Sequence, residues 1–233
     1  MATLGQSIRR NAIGLGLFAI VTGGTIALTQ QLTQERIAQQ AARVEADALF
    51  QIIPEKRHDN ELLRDTVTLP ASNSLNRGQP LTAWVARRGD RPTGLILPVT
   101  APDGYSGNIR LLIGINLKGR VLGVRVTSHR ETPGLGDNIE TKKSDWIYTF
   151  KGRSLGSPEP EQWAVKKDGG VFDQFTGATI TPRAVVNTVR DTLVYFREHR
   201  QQIREILKQP ASPEKEPVTP ESLASSSSAQ EHS

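Results

Sequence analysis

Between Arg10 and Glu35 the chain carries no charged side chain. At 1.5 Å per residue, those 24 residues make roughly 36 Å of helix, enough to cross a bilayer core of about 30 Å. No other stretch restricts the fold so strongly. Its most apolar part runs from Ala12 to Leu28, and Gly14, Gly16, Gly23 and Gly24 leave slim faces where a second helix can approach closely. Arg9 and Arg10 precede it, which predicts a cytoplasmic N-terminus and the bulk of the chain on the far side. A cleaved signal peptide has the same charged start and apolar core. TIALTQQ offers no A-x-A cleavage site, however, and the run is long for such a leader, so an uncleaved anchor is expected.

Composition narrows the chemistry. A chain of 233 residues suits one modest domain with appendages. The net charge is only +5, and Lys and Arg are dispersed, so no nucleic-acid partner is expected. Cysteine is absent, which excludes thiolate-held iron–sulfur clusters, CxxCH haem attachment, disulfides and a thiol nucleophile. The four histidines, His58, His129, His199 and His232, form no HxH or HxxxH pair, so no metal site is expected. Redox chemistry in this chain would need an organic cofactor.

Patterning beyond the anchor predicts an α+β domain with a mixed, largely antiparallel sheet and flanking helices. Residues 1–10 form a cytoplasmic N-terminus, 11–30 the membrane helix, 31–80 a helical linker and irregular segment, 81–207 the folded domain and 208–233 a disordered tail. The linker repeats Ile37, Ala41, Val44, Ala48 and Leu49 on one face as far as Pro54. Strands are expected at Leu81–Arg88, Thr93–Thr100, Ile109–Asn116 and Val121–His129, with APDGYSGN as a loop between the second and third. Ser144 to Phe150 reads as a short helix capped by Ser144. Pro182 to Leu207 reads as one long helix with Val185, Val189, Leu193 and Phe196 inward. The tail is rich in Pro, Ser, Glu and Gln and buries little.

Two stretches concentrate chemistry. DQFTGATITPRAVV, Asp173 to Val186, sets three threonines beside Gly177 just before a helix start. Thr181 is expected to cap that helix and Pro182 to occupy its first turn. Thr179 then lies at a helix N-terminus, where unpaired N–H groups favour phosphate. Arg183 in the first turn and Lys166 and Lys167 upstream add positive charge, while Gly177 and Ala178 keep the backbone slim. A plain turn and cap would use the same residues. The second stretch, HRETPGLGD from His129 to Asp137, follows a strand and can bend tightly enough to present backbone N–H groups. An ordinary strand-end turn also fits it.

The array Asp173, Thr176, Gly177, Ala178, Thr179 resembles the flavinylation motif of FMN-binding domains, with HRETPGLG in the place of that family's second hallmark. APDGYSG, ETPGLGD, SDWI, WAVKKDGG and FDQFTGATITPRAVVN closely resemble the G subunit of the Rnf (Rsx) electron-transport complex, from the anchor to about Val194. The resemblance implies one FMN joined by a phosphodiester to Thr179, placed there by a flavin transferase that uses FAD and a divalent metal. It gives Asp173 a part in recognising or orienting the threonine. Thr176, Gly177 and Ala178 shape the turn, and Glu131, Thr132 and Leu135 lie along the flavin. It further implies a single-pass inner-membrane subunit with a periplasmic domain, embedded in lipid beside the other Rnf subunits. Such a subunit relays electrons in a complex that couples ferredoxin/NADH-type transfer to ion movement and catalyses nothing alone. Two alternatives stand beside it: the related C subunit of the sodium-translocating NADH:quinone reductase, and an anchored binding or assembly module without redox activity.

Overall fold

The computed structural model describes residues 4–73, 75 and 78–208. The expected disordered tail lies almost wholly outside these residues. The chain divides into two units, with the boundary between Asp47 and Ala48.

The first unit is most of α1 (Leu4–Ile52), the one described helix long and apolar enough to cross a membrane. Its polar threonines do not leave hydroxyls unbonded. Thr25 Oγ1 donates to the Val21 carbonyl at 2.7 Å and Thr29 Oγ1 to the Thr25 carbonyl at 2.8 Å. Bonds back to the preceding turn let such residues sit in an apolar span. Ala48 and Leu49, at the start of the second unit, are buried.

The second unit is built on a five-stranded sheet in the order β1-β2-β3-β4-β5. The strands are β1 (Thr66–Leu69), β2 (Leu81–Arg88), β3 (Arg91–Gly104), β4 (Gly107–Asn116) and β5 (Val121–Ser128). All four ladders are antiparallel. The sheet is thus more uniform than the mixed one expected, and β1 comes from the segment expected to be irregular. β3 and β4 also run further than their apolar cores suggest. They absorb most of APDGYSGN and leave Tyr105–Ser106 as a two-residue tip, with a register shift between Ala101 and Gly104 that accommodates Pro102.

Alternation along β3 divides the core. Leu95, Leu97 and Val99 face the larger cluster, while Ile96 faces the smaller one. The larger cluster packs against α2 (Ile180–Glu198) through Val185, Val186, Val189, Leu193 and Phe196. The smaller cluster seats Leu49, Ile52 and Ile53 on Ala86, Ile96 and Leu112. Gly114 makes room for it, since a Cβ there would run into Ile52.

The long C-terminal helix expected from Pro182 onward is two helices, α2 and α3 (Arg200–Lys208), separated at His199. The break lets Ile203 and Leu207 enter the core. Tyr195 in α2 is buried and donates its hydroxyl to the Pro70 carbonyl at 2.7 Å. Burial pushes its phenol up to about 12, from an ordinary value of about 10. The folded chain therefore holds this proton more tightly than the unfolded chain. Stability from this group is complete below about pH 10 and declines from there to about pH 12. Tyr195→Phe should lower stability near neutrality by about 1 kcal/mol and flatten the alkaline decline. Urea unfolding of the detergent-solubilised protein across that range measures both. An unchanged alkaline slope in the variant would show that Tyr195 is not its source.

Candidate functional site

The segment before α2 is held rigidly from below. Trp146 Nε1 donates to the Asp173 carbonyl at 2.7 Å, and the Trp146 ring packs edge-on against Phe175 with centroids 5.1 Å apart. Phe172 stacks on Phe150 at 4.8 Å. Backbone bonds from Lys166 N to Phe172 O and from Phe172 N to Ala164 O fasten the same segment to the WAVKKDGG loop. That loop closes tightly: Gly169 has φ +85°, and a Cβ on Gly170 would run into the Ala164 carbonyl. Ser144 does not cap the short helix directly. It sits one position before the cap of the 3-10 turn Trp146–Phe150, and its Oγ accepts the Trp146 N–H at 3.2 Å.

On this support Phe175 to Ala178 form a tight turn, with Ala178 N donating to Phe175 O at 3.1 Å. Gly177, third in the turn, has φ +78°, a conformation that side chains resist. Thr179 follows as the N-cap residue of α2, half-buried, and its side chain makes no capping bond. The helix thus begins at Ile180, two residues before Pro182, and Thr181 is not its cap. The Thr181 side chain is fully buried and its hydroxyl donates to Glu131 Oε2. The hydroxyl turns inward as a donor to this buried carboxylate and not outward as an acceptor for a helix N–H. Pro182 still falls in the first turn, where a missing N–H costs nothing.

HRETPGLGD comes to this same place. A Cβ on Gly177 would lie 3.4 Å from Leu135 Cδ2. A Cβ on Gly136 would lie 2.8 Å from both Glu131 Oε2 and Thr181 Oγ1. Thr132 closes the loop: its carbonyl accepts the N–H groups of Leu135 and Gly136, each at 3.1 Å. Thr132 is exposed, and Leu135 and Ile180 are left 41% and 45% exposed as large aliphatic side chains beside the turn. Glu131, expected along the flavin with them, is buried.

Two of the three expected cations, Lys166 and Arg183, are paired. Lys166 Nζ lies 2.5 Å from Asp173 Oδ1. Arg183 forms a two-pronged pair with Asp168, Nε to Oδ2 at 2.6 Å and Nη2 to Oδ1 at 2.8 Å. Hydrogen bonds from Arg183 hold the Asp168 carboxyl below its usual range, and the same pair raises Arg183. Both pairs are substantially solvent-exposed, so a competing phosphate can displace either carboxylate at small cost. Arg183 stands one turn after Thr179, on the same helix face. Sequence reasoning overlooked Asp168, although it lies within the quoted WAVKKDGG, because its partner is 15 residues away.

These residues fit a flavin nucleotide. The start of α2 offers N–H groups with no side-chain cap, Gly177 and Ala178 leave the approach open, and Leu135 and Ile180 offer an apolar ledge for a ring system. The features are those of a flavin-binding domain, in a chain whose described residues include one helix long and apolar enough to cross a membrane. A family model described as the FMN-binding domain matches residues 104–194, and one described as the RnfG N-terminal region matches residues 1–52. The chain is similar to the G subunit of the ion-translocating oxidoreductase complex of Shewanella piezotolerans, 48% identical over 207 residues, covering 89% of this chain and 96% of that one. The Pseudomonas aeruginosa protein of the same name is 50% identical over 198 residues, covering 85% and 92%. The chain belongs to this family, the G subunits of ion-translocating oxidoreductase complexes. It carries an FMN-binding domain. Both of these relatives are G subunits, which favours that reading over the alternative of a quinone-reductase C subunit.

Proposed function

We propose that this subunit carries one FMN bound covalently to Thr179 and relays electrons through it within a ferredoxin/NADH-type complex that moves ions across the bacterial inner membrane. The observation that carries the reading is the uncapped start of α2, with the Thr179 hydroxyl at its N-cap position. A phosphodiester needs a hydroxyl, and a helix N-terminus stabilises the remaining phosphate charge by up to about 2 kcal/mol when partly buried. FMN supplies the electron chemistry; the chain supplies position and electrostatics.

Attachment requires a flavin transferase with FAD as donor and a divalent metal. Thr179 Oγ bonds to the phosphorus on the riboflavin side of the pyrophosphate. The bridging P–O bond breaks, AMP departs, and the hydroxyl proton leaves to a base of the transferase. Lys166 and Arg183 can exchange their carboxylates for the incoming phosphate, while Asp173 orients the threonine. Thr176, Gly177 and Ala178 keep the turn narrow, and Leu135 and Thr132 lie along the ring. The positive N-terminal flank favours a periplasmic domain, where a covalent bond would prevent loss of a small cofactor. Membrane lipid and the other Rnf subunits surround α1.

Trypsin should release residues 168–183 as one peptide, from the bond after Lys167 to Arg183. In protein from its native membrane that peptide should carry the mass of FMN, with fragmentation placing it on Thr179. An unmodified peptide throughout would refute the covalent reading and favour a non-redox assembly module.

A further inference from the structure

Glu131 gathers more of the site than any other side chain. Its Oε1 accepts the Ser106 N–H at 3.0 Å, at the tip between β3 and β4. Its Oε2 accepts the Thr181 hydroxyl in the first turn of α2. Its own N–H donates to His129 Nδ1 at 3.0 Å. That bond makes Nδ1 the acceptor nitrogen, so Nε2 carries the proton that meets Glu140 Oε1 at 2.7 Å. The backbone is shaped around the same carboxylate. A Cβ on Gly104 would lie 2.9 Å from Oε1, and one on Gly136 would lie 2.8 Å from Oε2. Glycine at both positions is thus a condition for the carboxylate to sit where it does. Three stretches far apart in sequence, APDGYSG, HRETPGLGD and TGATITPR, meet at this one group.

We infer that Glu131 is the positioning residue of the site: a buried latch that fixes the hairpin tip and the glycine-rich loop against the start of α2, and so sets where Thr179 and Leu135 stand. It acts through Thr181 and Gly136 and touches no open surface. Its negative charge also lies in the layer beneath the flavin-binding turn, where solvent screens it poorly and where it disfavours an added electron on the cofactor. The inference rests on the covalent-FMN reading for its effect on the cofactor, but the latch itself exists without flavin.

The test uses the full-length chain in membranes, with and without a co-expressed flavin transferase. The variants are Glu131→Ala, Glu131→Gln and Thr181→Val. Glu131→Ala should lower the modified fraction of the Thr179 peptide by roughly tenfold, since displacing a reacting group by about 1 Å is costly. Glu131→Gln keeps the shape, because its amide oxygen accepts from Ser106 and its NH2 donates to Thr181. It should recover attachment to within about threefold. The flavin in the Gln variant should titrate at a more positive potential than in wild type. In flavin-free protein, hydrogen exchange at the Ser106 amide should quicken in Glu131→Ala and stay near wild type in Glu131→Gln, while Thr181→Val quickens exchange across residues 132–136. Attachment and exchange at wild-type rates in Glu131→Ala would overturn the latch, as would a Gln variant no better than Ala. An unchanged potential in Glu131→Gln would overturn the electrostatic role. An unmodified wild-type protein would instead overturn the covalent reading, leaving the exchange data to decide the latch.

Discussion

Thr179→Ala protein, made alongside a flavin transferase, should run as a dark band under ultraviolet light on a denaturing gel where the wild type fluoresces. The expected loss is complete, because no neighbouring hydroxyl can substitute. Thr181 is buried and its hydroxyl is committed to Glu131. Thr176 is exposed but lies across the turn, ahead of Gly177, and away from the helix start. Thr176→Ala should therefore weaken attachment and leave visible fluorescence. Thr179→Ser keeps a hydroxyl in place and should retain the label. The fold should scarcely register Thr179→Ala. An N-cap threonine usually contributes about 1 kcal/mol through its side-chain bond, but Thr179 makes none. Thermal unfolding close to wild type, together with a dark band, separates loss of the attachment atom from loss of structure. Fluorescence persisting in Thr179→Ala would move the bond to another residue.

Local spacing makes the turn before α2 readable from the amino-acid sequence. A slim turn, a threonine and a proline-marked helix start are all short-range signals, and the fold puts Thr179 at the cap position. Long-range partners set the limit. Thr181 before Pro182 reads as a cap by every local rule, yet its acceptor is 50 residues away. Glu131 lies in a loop whose sequence shows only a tight bend, and the fold alone reveals Ser106 and Thr181 around it. The sheet divides the same way. β2 matches its expected bounds because its apolar run ends at an evident turn, Arg88 to Arg91. β1 offers four residues, TVTL, in polar surroundings. It becomes a strand through pairing with β2, and pairing leaves little trace in a short window.

That same overlooked segment carries the largest stability effect expected in the domain. Asp65 stands just before β1, 6% exposed, and its Oδ2 accepts Arg87 Nε and Asn60 Nδ2, each at 2.8 Å. Arg87, also buried, reaches on through Nη1 to the Leu207 carbonyl at 3.0 Å, near the end of α3. Asn60 completes the ring by accepting the Arg87 N–H and donating to the Val85 carbonyl. One ion pair therefore joins β2, α3 and the segment entering β1. Asp65→Ala takes the carboxylate from a buried guanidinium and should destabilise the domain by about 3–5 kcal/mol. The pair need not be strongly stabilising in itself for this to hold, since much of the penalty is the desolvated charge left behind. Replacing both partners, as Asp65→Leu with Arg87→Met, should accordingly recover part of the loss. Recovery will be incomplete because Asn60 and the Leu207 carbonyl lose polar partners too. Urea unfolding of Asp65→Ala, the double variant and wild type provides the measurement, and a loss below about 1 kcal/mol in Asp65→Ala would mean that solvent reaches Arg87. Asp65 belongs to the β1–α3 network, whereas the Glu131 carboxylate bonds Ser106 and Thr181. The Asp65→Ala protein that does fold should therefore carry flavin at the wild-type fraction, whereas Glu131→Ala should lose flavin at a given amount of folded protein.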